Sequence, residues 1–562
     1  MPFSSRRPGR APSGGPAGPP PAVPIDAAEA APGPVAEPDP GPGPVPGLAV
    51  RAPVPPRPGA ALRRRAGLGL LAVAALVAAG LPAPRALGLG DRLFPTLGNP
   101  GYDVTAYDIA LNYPGRNDRP MDAVTTITAR PAERLDRINL DFARGTVRSV
   151  RVGGRPARYV RRGDDLIVTP EHPVPAGFPL RVVVRHTSDP RGQGGGWIRT
   201  ADGLAMANQA DAAHEVFPCN DHPSDKARFT FRVTAPRNLR VVANGERVTS
   251  RAVPPAAYGT DPSPAPGPRA GTTTWTYRTE HPMATELAQV SIGRSAVVRG
   301  TGPAGLPLRH VVPAADRKRL AKWLDATPGQ LAWMEKKVGR YPFETYGVLI
   351  AKASTGYELE TQTLSLFEGS LFTSSYPDWY VRSIMVHELA HQWFGDSVSP
   401  RTWSDVWLNE AHATWYEALY AQEQGKVSMA ERMRRAYQWS DDWRAGGGPP
   451  GAPKVPGKGD KIGIFRPVIY DGSALVLYAL REKIGARDFD RLERHWVARH
   501  RDGVAGTDDF VALASQVSGQ NLTGFFRDWL HAAKTPPMPG HPDWKPGAPK
   551  PAKPGAEPAR GQ

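Results

Sequence analysis

Between residue 101 and about residue 295, apolar and polar side chains alternate in short runs; beyond Val312 the spacing lengthens to that of amphipathic helices. The alternating runs 105–111, 123–128, 166–169, 180–185, 228–233 and 239–243 are separated by Gly-Gly, Asn-Gly and Pro-rich breaks, which predicts a β-rich domain. Residues 314–338 read as helical with an interruption near Pro328, and 346–351 as a strand. The segments 379–394, 408–424, 428–443, 472–484, 489–500 and 508–517 carry helical periodicity, while the Gly- and Pro-rich stretch 446–459 predicts an exposed loop.

Composition trims this picture at both ends. Residues 1–62 are dominated by Pro, Ala and Gly, and 536–562 by Pro, Lys and Gly; such segments bury too little apolar surface to offset the entropy of ordering. Both are expected to be disordered. Arg63, Arg64 and Arg65 precede an apolar run, 66–81, so 63–82 reads as a signal sequence or single-pass anchor with the N-terminus inside. Either reading makes the rest extracytoplasmic, open to membrane anchoring through 66–81 or to secretion. The net charge of +16 is spread along the chain without a nucleic-acid-binding signature, so no nucleic-acid partner is expected. One cysteine, Cys219, excludes an intrachain disulfide and reads as a small buried hydrophobe.

The chemistry concentrates in His387-Glu388-Leu389-Ala390-His391. Positions i and i+4 of a helix share a face, so two imidazoles can hold one zinc ion and leave positions open for water and substrate. Glu388 lies a third of a turn from His387, within reach of the proton of that water. Two histidines leave a catalytic site one ligand short. Glu410, nineteen positions after His391 in Trp407-Leu408-Asn409-Glu410, begins the next predicted helix and supplies the candidate. Trp393, Trp403, Trp407 and Trp415 read as core packing around the site, and His412 as a supporting or surface residue.

These residues resemble the aminopeptidase N family of zinc metallopeptidases, the gluzincins, whose motif is His-Glu-x-x-His, eighteen residues, then Glu. The resemblance runs from about Asn99 to Leu530. It includes Gly98-Asn99-Pro100-Gly101-Tyr102-Asp103, Phe217-Pro218-Cys219-Asn220-Asp221-His222-Pro223 with Lys226-Ala227, and 403–410. It implies an α+β multidomain fold: a β saddle-like domain over 99–297, then a thermolysin-like, mainly helical zinc catalytic domain over 298–535. It also implies site roles. In Gly356-Tyr357-Glu358-Leu359-Glu360-Thr361-Gln362, Glu360 takes the place of the carboxylate that binds the substrate's α-ammonium, with Glu358 a rival acid two positions away. Tyr470, ahead of Asp471-Gly472-Ser473, takes the place of the oxyanion-stabilising tyrosine, and Gln209 that of a glutamine on the substrate amine.

The expected function is therefore zinc-dependent aminopeptidase activity on peptides with a free N-terminus. One Zn2+ per chain sits on His387, His391 and Glu410, and Glu388 is the general base. Two alternatives stay open: an endopeptidase on the same zinc chemistry, and a catalytically silent extracellular interaction protein.

Overall fold

The computed structural model describes residues 88–547 apart from 193–194, 249–270, 354, 458–459 and 461. The tail 1–62, the apolar segment 63–82 and residues 548–562 lie outside the described residues. Among the described residues no helix is long and apolar enough to cross a membrane.

The N-terminal half is β-rich, as its alternation predicts. Strand Tyr102–Asn112 pairs antiparallel with Met121–Pro131 and parallel with Arg228–Pro236 at the centre of an eight-stranded sheet. Alternate residues of this strand, among them Tyr107, Ile109 and Leu111, go into the core beside Phe217, Phe229 and Phe231. A four-stranded sheet follows, in which Leu204–Ala207 lies between Gly196–Arg199 and Val290–Gly293.

The predicted boundary at 297/298 falls inside a strand. Ser295–Thr301 pairs with Pro307–Pro313, and that strand continues through Val348–Ala351 to Ser365–Glu368. This sheet serves two cores at once: Val311, Leu349 and Leu366 face the β-rich side, while Val312, Val348, Ile350 and Phe367 face the helices. Period-two alternation with both faces apolar explains why the segment reads as hydrophobic throughout.

The C-terminal half is helical: α1 (Arg317–Leu324), α2 (Thr327–Val338), α3 (Asp378–Ala390), α4 (Val406–Glu423), α5 (Met429–Gly447), α6 (Asp471–Ile484), α7 (Ala486–His500), α8 (Thr507–Ser518) and α9 (Thr523–His531). The break near Pro328 is real, with the proline in the first turn of α2, where its missing N–H costs nothing. Helix α9 was not expected. Its Phe526, Trp529 and Leu530 are buried, and the carbonyl of Leu530 accepts from Gly451, so the expected exposed loop is pinned at that point.

The expected C-terminal tail is packed over its first dozen residues. Met538 and Trp544 are buried, and Trp544 stacks on Tyr478 at 5.8 Å and 10°. Here one aromatic side chain outweighs the local Pro and Gly content. At the other end Asp91 Oδ2 accepts from the Trp403 amide at 2.7 Å, and Phe94 meets the Trp403 ring edge-on.

Candidate active site

Helix α3 begins after Pro377, with Asp378 in its first turn, where a carboxylate favours the positive end of the helix dipole. His387 lies in its last turn, and His391, at φ −56° and ψ −27°, still has helical geometry just past its end. The i, i+4 relation therefore survives the termination. Gly395 then turns the chain at φ 128°, and a Cβ there would come within 3.4 Å of His391 Nδ1. Helix α4 packs against α3 and follows a short turn, Trp403–Asp405, capped reciprocally by Thr402 and Asp405. Glu410 sits just over one turn into α4.

Three predicted ligands converge. His387, His391 and Glu410 each offer one ligand atom, and these atoms lie within 4.8 Å of one another, all on buried residues. Glu410 Oε2 is 3.4 Å from His387 Nε2 and 3.5 Å from His391 Nε2, and it has no hydrogen-bond partner despite its burial. The outer nitrogens face acceptors: His387 Nδ1 meets Glu417 Oε2 at 3.1 Å, and His391 Nδ1 meets the Phe394 carbonyl at 3.1 Å. That places the ring protons on Nδ1 and directs both Nε2 lone pairs towards the orphaned carboxylate oxygen. A divalent cation fits this donor set. Burial raises the Glu410 carboxyl, but the imidazoles of His391 and His387 that face it bring it down to about 2, so it stays a carboxylate.

Glu388 is buried at 6% exposure. Tyr470 stands at the start of α6, its ring centroid 6.0 Å from that of His387. Burial, then the charges of Glu410, Glu388 and Glu360, push its phenol well above the usual range, so the hydroxyl stays a donor. The two proposed amine contacts also meet: Gln209 Nε2 donates to Glu360 Oε1 at 2.8 Å. Glu358 is held separately, its Oε2 accepting from the Glu368 amide at 2.6 Å; burial chiefly, with the charge of nearby Glu388 adding to it, raises its carboxyl to about 9.

The four tryptophans are buried core residues, as expected. His412 is no surface residue. Its ring stacks on Phe394 at 4.2 Å, and Nε2 lies 3.1 Å from Glu493 Oε1. Cys219 is fully buried, and burial raises its thiol well above the ordinary range, which suits packing rather than attack.

Sequence reasoning missed the support of the first ligand. Glu417 also accepts from Arg432 Nη1 at 2.7 Å, and Arg432 Nε donates to Asp471 Oδ1 at 2.7 Å, beside Tyr470. Glu417 lies seven positions after Glu410, two turns along the same helix stripe, so the spacing could have revealed it. Arg432 and Asp471 come from other helices and left no local signal. Glu286, in the turn Thr285–Leu287, was also missed; it is 4% exposed, and burial, then the charge of Glu360, holds its carboxyl well above the usual range.

Residues 324–529 match the peptidase family M1 domain, and 205–257 the peptidase M1 N-terminal domain. The chain thus carries both domains of peptidase family M1. This M1 chain is 25% identical over 456 residues to aminopeptidase N of Streptomyces lividans, covering 76% of this chain and 50% of that one. It is 22% identical over 448 residues to probable aminopeptidase 1 of Saccharolobus solfataricus, covering 76% and 53%. The M1 chain thus spans about half the length of these curated relatives. Among solved structures, the M1 zinc metallopeptidase from Deinococcus radiodurans superposes with a TM-score of 0.65 at 27% identity, covering 82% of this chain and 100% of that one. A mutant of that protein bound to a Tyr-Ser-Ala substrate gives a TM-score of 0.64 at 26% identity, covering 80% and 99%. A β-rich domain followed by a helical catalytic domain is the M1 fold.

Proposed function

We propose that this M1 chain is a zinc aminopeptidase that removes the first residue of peptides with a free N-terminus. The observation that carries this reading is the pairing of two sites: the converging donors His387, His391 and Glu410, and the buried Glu360–Gln209 pair near them. His387, His391 and Glu410 would hold the zinc, with Glu417 and the Phe394 carbonyl orienting the imidazoles. When bound, the zinc supplies Lewis-acid polarisation of the scissile carbonyl and acidifies water.

The protein's own groups do the rest. Glu388 takes a proton from the attacking water and returns it to the departing amine. The Tyr470 hydroxyl donates to the oxyanion that develops on the carbonyl oxygen. Glu360 accepts from the α-ammonium of the substrate, and Gln209 holds that carboxylate in place. A fixed anion in a closed site sets the register, so the first peptide bond is presented for cleavage. The names of the curated relatives, and the peptide held by the solved relative, point the same way.

An endopeptidase would have no use for an amine-binding acid, and a silent interaction protein none for Glu388. The deciding experiment measures hydrolysis of fluorogenic amino-acid amides and of matched Nα-acetylated peptides, with and without chelator. Turnover of free-amine substrates that chelator abolishes and acetylation blocks is expected. Equal turnover of the acetylated peptides would establish the endopeptidase, and no turnover by zinc-replete protein the silent scaffold. From 63–82 we further propose an extracytoplasmic location. A reporter fused after Gln562 and active only outside the cytoplasm should then give signal; silence would refute it.

A further inference from the structure

The residue after the second histidine joins the two halves of the proposed site. Gln392 is fully buried, and all four hydrogen-bonding positions of its amide are filled. Its Nε2 donates to the Glu360 carbonyl at 2.8 Å and to Asp396 Oδ2 at 2.7 Å. Its Oε1 accepts from the Thr363 amide at 2.9 Å and from the Tyr341 hydroxyl at 3.0 Å. One side chain thus grips the segment 360–363 at both ends, at the carbonyl of Glu360 and at Thr363.

The far end of this grip is equally fixed. Gln392 follows His391 directly, and Asp396 lies in the loop whose carbonyls, at Asp396 and Ser397, accept from the half-buried Lys226 at 2.8 and 2.9 Å. Lys226 belongs to the β-rich domain, so the loop beyond α3 is held from both domains. The segment 360–363 needs an external hold. Its residues pair in no continuous ladder, and Thr363 sits at φ 67°, where a β-branched residue persists only under constraint from its surroundings. Two of its backbone groups, the Glu360 carbonyl and the Thr363 N–H, are satisfied by this one glutamine.

We propose that Gln392 is a positioning residue that fixes the offset between the amine-binding carboxylate of Glu360 and the histidine ligands, and so sets which peptide bond is cut. The inference rests on the aminopeptidase reading. If the substrate's amine is held at Glu360 and its carbonyl at the ligand set, the spacing between them selects the bond. Asn244 Nδ2 on the Gln362 carbonyl and the Gly245 amide on Thr363 Oγ1 hold the segment from the β-rich domain, while Gln392 ties it to the histidine helix. Displacements of about 1 Å in such geometry cost on the order of a hundredfold in rate.

The test compares wild type, Gln392→Met and Gln392→Asn. Methionine keeps the volume and removes every hydrogen bond; asparagine keeps a buried amide one methylene short. Zinc content and thermal unfolding are measured first. Then kcat and KM are taken on the best amino-acid amide, and the products from tetra-alanine are resolved by mass spectrometry. Zinc content is expected to be unchanged, kcat/KM to fall roughly a hundredfold, and dialanine cleaved at the second bond to rise relative to single alanine. Tyr341→Phe, which removes only one bond to the acceptor side, should keep the wild-type product ratio. Zinc-loaded, folded variants with wild-type kcat/KM and product ratio would overturn the proposal. So would failure of both variants to fold, since that assigns Gln392 to stability. An inactive wild type would overturn the aminopeptidase reading together with this one; an active wild type with unmoved variants overturns this one alone.

Discussion

Nδ1 of His387 faces Glu417 Oε2 at 3.1 Å, and the second oxygen of the same carboxylate accepts from Arg432 at 2.7 Å. The carboxylate thereby fixes the tautomer and the orientation of a metal-ligand candidate, and Arg432 carries the connection on to Asp471, next to Tyr470. The ligand helix, its neighbour and the helix that presents the tyrosine are tied by one charged chain.

Glu417→Gln should therefore weaken metal binding without removing any of the three ligands. The expected loss is 10- to 100-fold in zinc affinity, read by competition with a chelating dye. An unchanged affinity would show that Glu417 does not tune the site.

Glu388→Gln removes the proton acceptor and leaves the ligand set intact. Turnover should fall by about 10²- to 10⁴-fold while zinc content stays that of the wild type. Elemental analysis alongside steady-state kinetics checks both halves, and a variant with more than a tenth of wild-type turnover would count against the role.

Glu360→Ala should act on recognition of the amine. A charge-assisted bond is worth about 1.5–3 kcal/mol, so kcat/KM on free-amine substrates should drop by one to two orders of magnitude. Zinc content should stay that of the wild type. A loss of zinc alongside the loss of activity would point to damage at the ligand set instead.

Stability should respond to pH through an ion pair between the two domains. His281 Nδ1 lies 2.8 Å from Asp502 Oδ2, and that hydrogen bond raises the imidazole above its ordinary 6.5. A raised histidine contributes fully below 6.5 and loses its contribution as pH climbs through the higher folded value. Burial would lift Asp502, but the bond to His281 leaves it below 3.8, so its share is present above 3.8 and lost as pH falls through the lower folded value. The difference in Tm between wild type and His281→Asn should be widest near pH 5 and shrink towards pH 8. A difference independent of pH would rule the pair out as its source.

Trp544→Ala should destabilise the chain by about 3 kcal/mol, because the indole is buried against Tyr478 and His541. Chemical denaturation reads this directly. A change under ~0.5 kcal/mol would mean that residues 536–547 do not pack on α5 and α6 in solution.

The ease of reading followed how local each signal is. The ligands announce themselves because i, i+4 spacing on one helix is a property of the sequence itself, and Glu410 because it follows within one helix–helix connection. The helices with apolar stripes and the alternating strands were legible for the same reason. Local pattern failed where distant parts decide. Nothing within Ser295–Thr301 reveals that this stretch pairs with Pro307–Pro313. Trp544 was hidden by the prolines around it. Glu358 and Glu360 differ only in partners from distant parts of the chain, the Glu368 amide for one and Gln209 for the other. Arg432 and Gln392 have roles that exist only between elements, so single-segment reading has no access to them.

The central claim is that His387, His391 and Glu410 share one zinc ion. Anomalous diffraction from zinc-loaded crystals, recorded on both sides of the zinc edge, tests it directly. One strong peak between His387 Nε2, His391 Nε2 and the Glu410 carboxylate is the predicted result. A map with no peak there, or with its only peak at another group of side chains, would contradict the account.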